Sequence, residues 1–215
     1  MKFLSKVRTP GNHGSLKKQI LMTIGILLLG ICLGTFSKFL DYHQAELPQF
    51  FMFIDSALDF HNFLGTFAPW IMIAVLISIK SSSPIRAGIN VFIFFAGMVT
   101  SYYLYSNYVA GFFPKSYAMI WVGFTLISPI LAFFCWYAKG DGWFAILISA
   151  GILAFMINST LSYGMWYINI RSFLHLIMLF LGIIILHKSI KETVYIIALA
   201  IPITVLLDIL IPFHY

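Results

Sequence analysis

Asp55 and Asp59 stand four residues apart in a stretch rich in phenylalanine, with His61 two residues further on and Asp41 and His43 upstream. On a helix that spacing puts both carboxylates on one face. Carboxylates backed by imidazole can hold a cation or an amine and, with enough ligands, a divalent metal. No recognised metal-ligand spacing is present, so no metal is expected. Asp55, Asp59 and His61 form a candidate ligand-binding group, against the plainer alternative that the carboxylates are the solvated face of an amphipathic helix.

A second group lies towards the end of the chain, where Arg171, His175 and Asp208 interrupt apolar runs. Ionisable side chains at membrane depth are costly unless paired. If the last two runs form a hairpin turning near residues 190 and 191, Arg171 and Asp208 lie about 19 and about 18 residues from the turn. At about 1.5 Å per residue they reach nearly the same depth. The spacing predicts an Arg171–Asp208 pair with His175 one turn below Arg171, acting as a clasp between helices or as a gate or counter-ion at the mouth of a pathway.

Other chemistry is missing from the sequence. It contains no HExxH, no Walker A loop, no GxSxG and no cysteine-rich metal motif, and the last run has no lysine for a retinal Schiff base. No catalytic residues, enzymatic activity or cofactor are therefore expected. No segment between apolar runs is long enough for a nucleotide-binding domain, so ATP-driven work would need a separate ATPase. Cys32 and Cys135 both lie within apolar runs, at depths that disfavour a disulfide.

The elements that must carry these groups follow from composition. Of 215 residues, 61% are apolar and 9% charged, against about 45–50% and about 25% in soluble domains. The mean hydropathy is +0.96. Soluble, disordered and nucleic-acid-binding classes are excluded. The net charge of +6 is scattered over the N-terminus and short turns, not gathered on one face.

A helix needs about 20 apolar residues to cross the hydrocarbon core. Seven runs approach that length: 19–37, 63–79, 87–107, 117–137, 143–160, 170–187 and 193–211. The expected fold is an all-α polytopic transmembrane bundle of about seven spans, plus an amphipathic helix on the outer face at about 48–60. Residues 1–18 form a basic cytoplasmic N-terminal segment and 19–215 a single transmembrane domain. The first run is read as a span and not a cleaved signal, since no small-residue cleavage site follows it.

Basic residues set the expected orientation. With the N-terminus cytoplasmic, Lys2, Lys6, Arg8, Lys17, Lys18, Lys80, Arg86, Lys139, Lys188 and Lys191 fall inside, and only Lys38, Lys115 and Arg171 outside. The C-terminus, His214-Tyr215, then ends outside. Asp41, Glu46, Asp55, Asp59 and Asp208 also cluster at the outer face. Within the spans, Gly30 and Gly34 predict a close helix approach. Pro129 and Pro202 predict kinks, and Asn90 and Asn158 suit interhelical hydrogen bonds.

The strings GICLGTFSKFLD (30–41), APWIMIAVLIS (68–78), SPIRAGINVFIFFAGMVTSYYLY (83–105) and SPILAFFCWYAKGDGW (128–143) together resemble an uncharacterised family of small polytopic bacterial membrane proteins. The resemblance covers roughly residues 20 to 143 and implies a bacterial cell membrane; it supplies no catalytic residues. The functional expectation is a small transporter or the membrane subunit of a transport system, working with the lipid bilayer, a separate ATPase or other membrane subunit, or further copies of itself. The alternative is a non-catalytic interaction protein such as an immunity, sensor or assembly factor.

Overall fold

The computed structural model describes residues 2–11, 15–43, 48–164 and 166–210; Glu46 and the C-terminal His214 and Tyr215 lie outside them. Five helices are long and apolar enough to cross a membrane: α2 (Leu16–Tyr42), α6 (Pro84–Tyr108), α7 (Lys115–Trp136, continued by a 3-10 turn to Lys139), α8 (Trp143–Thr160) and α10 (Ile190–Leu210). Shorter helices are α1 (Lys2–Val7), α3 (Gln49–Leu58), α4 (Phe60–Gly65), α5 (Ala68–Lys80) and α9 (Phe173–Leu186). Leu21, Leu28, Met119, Ile130, Ile201 and Ile209 stand exposed along the long helices. An apolar exterior of this kind needs lipid around it. The chain is an integral membrane protein with an almost wholly helical fold.

Five full-length helices stand among the described residues where seven runs were expected to span. The second expected run divides, because Thr66 is extended (φ −84°, ψ 165°) and Pro69 has no N–H to continue the ladder from the Gly65 carbonyl. What remains, α5, has 13 residues, about 20 Å of helix against a core of about 30 Å. The sixth run loses its first turn to a β-hairpin and leaves α9 with 14 residues. That hairpin pairs β1 (Leu161–Gly164) with β2 (Tyr167–Ile170), Leu161 opposite Ile170 and Gly164 opposite Tyr167. The Arg171 amide closes its base by donating to the Thr160 carbonyl at 2.9 Å.

Local sequence sets the helix starts. Ser83 caps α6, its hydroxyl accepting from the Arg86 amide at 3.2 Å, with proline next in line. Gly142 opens α8 at φ 83°, a conformation costly for other residues.

The helices pack as two groups joined by α5: α2, α6 and α7 on one side, α8, α9 and α10 on the other. Trp70, Ala74 and Ile77 of α5 enter the core built on Phe94, Phe95 and Met98. Val75 and Ile79 enter the second core, with Leu153, Leu186 and Ile196. Within the second group α8 packs along both α9 and α10. The last two helices are therefore not the closely packed hairpin that the spacing argument assumed.

Glycine sets the distance between α2 and α6. A Cβ on Gly30 would collide with the Phe94 carbonyl oxygen, and one on Gly34 with that of Met98; from the other side, Gly97 faces the Leu27 carbonyl. A polar chain continues the contact. Arg86 donates to the Gln19 carbonyl at 2.8 Å, the Thr23 hydroxyl to Asn90 Oδ1 at 2.9 Å, and Asn90 Nδ2 to the Ser81 hydroxyl at 3.1 Å. Asn158 likewise bridges α8 to the Thr204 carbonyl of α10 at 3.0 Å. Pro129 frees the Thr125 carbonyl, which accepts from the Ser128 hydroxyl at 2.8 Å.

Gly30→Leu combined with Gly34→Leu is expected to destabilise the fold by roughly 1–3 kcal/mol or more, as overpacking against backbone does. Gly25→Leu, which meets nothing within 4 Å, serves as the control. Thermal unfolding in mild detergent checks both.

Candidate functional site

Asp55, Asp59 and His61 do come close together, but not as two carboxylates on one helix face. Helix α3 stops at Leu58, and Asp59 takes the left-handed conformation (φ 54°) between α3 and α4. Aspartate tolerates that region better than most residues. The Asp55 carboxylate turns back on the new helix: one oxygen accepts from the His61 amide at 2.8 Å and the other meets His61 Nδ1 at 2.7 Å. Asp59 accepts from the Asn62 side chain at 2.7 Å. The Asp55 carboxylate thus caps the start of α4 while that of Asp59 is held by a side chain one turn on, structural tasks that the i,i+4 pattern hid. His43 lies against the Phe39 carbonyl at the end of α2, at 3.3 Å.

His175 is a packing node. It is 4% exposed, with Nδ1 2.7 Å from the Ser172 hydroxyl and Nε2 3.4 Å from the Thr66 hydroxyl. Phe63 meets its ring edge-on at 4.9 Å, and its carbonyl accepts from Thr160 at 3.0 Å. It therefore ties the break between α4 and α5 to the end of α8. Arg171 and Asp59 lie within electrostatic reach of the ring. The ion pairs seen among the described residues are Lys38–Asp41, His61–Asp55 and Lys188–Glu192. Asp208 lies near Tyr163 of the hairpin.

A cavity of about 230 Å³ opens at the hairpin end of the bundle. Its wall comes from Ser37 and Asp41 of α2, Leu64 and Gly65 of α4, Trp70 of α5, Met98, Val99, Tyr102 and Tyr103 of α6, and Tyr117 and Trp121 of α7. The rings are held in place. Trp70 Nε1 donates to the Leu64 carbonyl at 2.8 Å, and Phe67 stacks on Trp121 with centroids 4.4 Å apart. Lys38 Nζ lies 2.5 Å from Asp41 Oδ2 and 5.4 Å from the centre of the Tyr102 ring. Tyr103 is 7% exposed, and its hydroxyl has no hydrogen-bond partner among the described residues.

This wall was open to sequence reasoning in part. Ser37 and Asp41, Met98 and Tyr102, Val99 and Tyr103, and Tyr117 and Trp121 each recur at i,i+4, so each pair shares a helix face. Aromatic residues near span ends also read as interfacial anchors, and that reading conceals the cavity.

The opposite end is basic and holds α1. Arg8 donates from Nη1 to the Trp136 carbonyl at 2.5 Å and from Nη2 to the Ile79 carbonyl at 3.0 Å, with its guanidinium 4.1 Å over the Trp136 ring. Burial lowers its pKa from the ordinary value, though arginine stays charged in proteins. Trp136 Nε1 donates to the Ser81 carbonyl at 2.7 Å, and Lys139 to the His187 carbonyl at 2.7 Å. Among the described residues no three metal-ligating side chains come together.

No family model, curated protein or solved structure matches this chain.

Asp55→Ala should destabilise the protein by about 1 kcal/mol, the usual cost of a lost helix cap. Asp55→Asn keeps an oxygen for the His61 amide and should lose less. The order of the two unfolding midpoints in one detergent checks the assignment.

Proposed function

We propose that this chain is a transport-associated membrane protein, either a small permease or the membrane subunit of a larger transport system. In this reading a small solute enters the cavity between α2, α4, α5, α6 and α7. The observation that carries the reading is the position of that cavity against a broken helix. Leu64 and Gly65 close α4 on its wall, and α5 restarts from Trp70's turn. Irregular backbone at membrane depth is tolerated where it borders a cavity, and discontinuous helices form the binding sites of many transporters.

The remaining assignments follow from the basic residues. With α1 and its basic neighbours cytoplasmic, the cavity faces outward in the cell membrane and the C-terminus emerges outside. Helix α4 with α5, and the hairpin with α9, then complete seven crossings. We assign the chain no catalytic step. Energy comes from a separate ATPase or another membrane subunit, and further copies of the chain are the other candidate partner. A second reading, a non-catalytic interaction protein, draws support from the exposed Phe50 and Phe53 of α3 and from Trp166 at the hairpin tip.

Native mass spectrometry of protein extracted gently from its own membrane tests the choice. The transport reading expects a retained small molecule or a co-purifying ATPase, whereas a ligand-free monomer or homo-oligomer favours the interaction protein. Orientation is checked separately in a background with Cys32→Ala and Cys135→Ala. Trp166→Cys should react with an impermeant thiol reagent in intact cells, and Ser189→Cys only after lysis.

A further inference from the structure

We propose that the cavity is selective for a small organic cation bearing a hydrogen-bonding group, an amino alcohol or a hydroxylated quaternary ammonium; this rests on the reading of the cavity as a ligand site. Five rings face it, from Trp70, Trp121, Tyr102, Tyr103 and Tyr117, and the only formal charge on its wall among the described residues is the Asp41 carboxylate. Aromatic faces carry the negative part of the ring quadrupole and attract cations, most strongly where water is excluded. An anion would meet the Asp41 carboxylate and the negative faces of the rings. The volume of about 230 Å³ suits a small molecule.

Two further observations bear on the ligand. Lys38 already places an ammonium at the edge of the site, against Asp41 and over the side of Tyr102. The chain thus supplies its own cation at this position, and an entering one competes with Lys38 for the carboxylate. Asp41 is 52% exposed at its side chain while Lys38 is 13% exposed, so an incoming cation reaches Asp41 first. The Tyr103 hydroxyl, buried and without a partner among the described residues, is the group that a ligand hydroxyl would satisfy. A buried polar group left unpaired carries a desolvation penalty that such a ligand removes.

Equilibrium binding of radiolabelled choline to the full chain in lipid nanodiscs tests the inference, with dimethylbutanol, its neutral carbon isostere, as competitor. Saturable choline binding is expected, with dimethylbutanol weaker by about tenfold or more. Asp41→Asn should weaken choline by about tenfold and Lys38→Gln should tighten it, since the competing ammonium is gone. Tyr103→Phe should weaken binding while leaving the unfolding temperature unchanged or raised, a split that a purely structural hydroxyl would not produce. Equal affinity for choline and dimethylbutanol overturns the cation preference and leaves the cavity a ligand site. Absence of choline binding in both the parent chain and Lys38→Gln overturns the cation inference. If native mass spectrometry also finds neither a retained molecule nor a co-purifying ATPase, the transport reading falls with it.

Discussion

The guanidinium of Arg8 holds the ends of two helices at once, and the position of α5 depends on it. Helix α5 ends with Ile77 and Ile79 buried among its neighbours. In a membrane each unsatisfied backbone group costs several kcal/mol. Arg8 donates to the Ile79 carbonyl, Trp136 donates to that of Ser81, and the Ser81 hydroxyl donates back to Ile77 at 2.8 Å. The same arginine takes the Trp136 carbonyl at the end of α7. A cation at a helix C-terminus also opposes the negative end of the helix dipole. Basic residues that orient a chain in the membrane thus act here as helix caps as well.

Fixing that end of α5 fixes the other. The helix is buried on nearly every side, with Trp70 at 2% and Val75 at 3% exposure, so it cannot shift without opening two cores. Trp70 sits in its first turn and forms part of the cavity wall. Thr66 and Phe67, just before it, reach His175 on one side and Trp121 on the other. The break in the chain is therefore the junction through which the two helix groups communicate.

Much of this was legible in residues whose meaning is local. Gly30 and Gly34 marked a close helix approach, because glycine acts through backbone geometry within a turn or two. Asn90 and Asn158 were legible as buried donors because lipid offers them no other partner. What failed needed knowledge of neighbours. The hairpin of the last two helices assumed that helices adjacent in sequence are adjacent in space, and α8 packs along both instead. The Asp55/Asp59 face assumed an unbroken helix, whereas the His61 amide offered Asp55 a cap and Asp59 could adopt positive φ. The hairpin escaped notice because β2 is exposed throughout and carries no burial alternation.

The glycine seam has a mechanical meaning. Helix α2 carries Lys38 and Asp41, while α6 carries Tyr102 and Tyr103, so the charge pair and two of the rings ride on different rods. Gly30, Gly34 and Gly97 key those rods together through backbone contact, without long side chains that could flex. A slip of one residue along the seam would move the ions about 1.5 Å past the rings and drive carbonyl oxygens into Cα atoms. The joint works like a dowel: it fixes the alignment of the carboxylate and the aromatic wall with the stiffness of main chain.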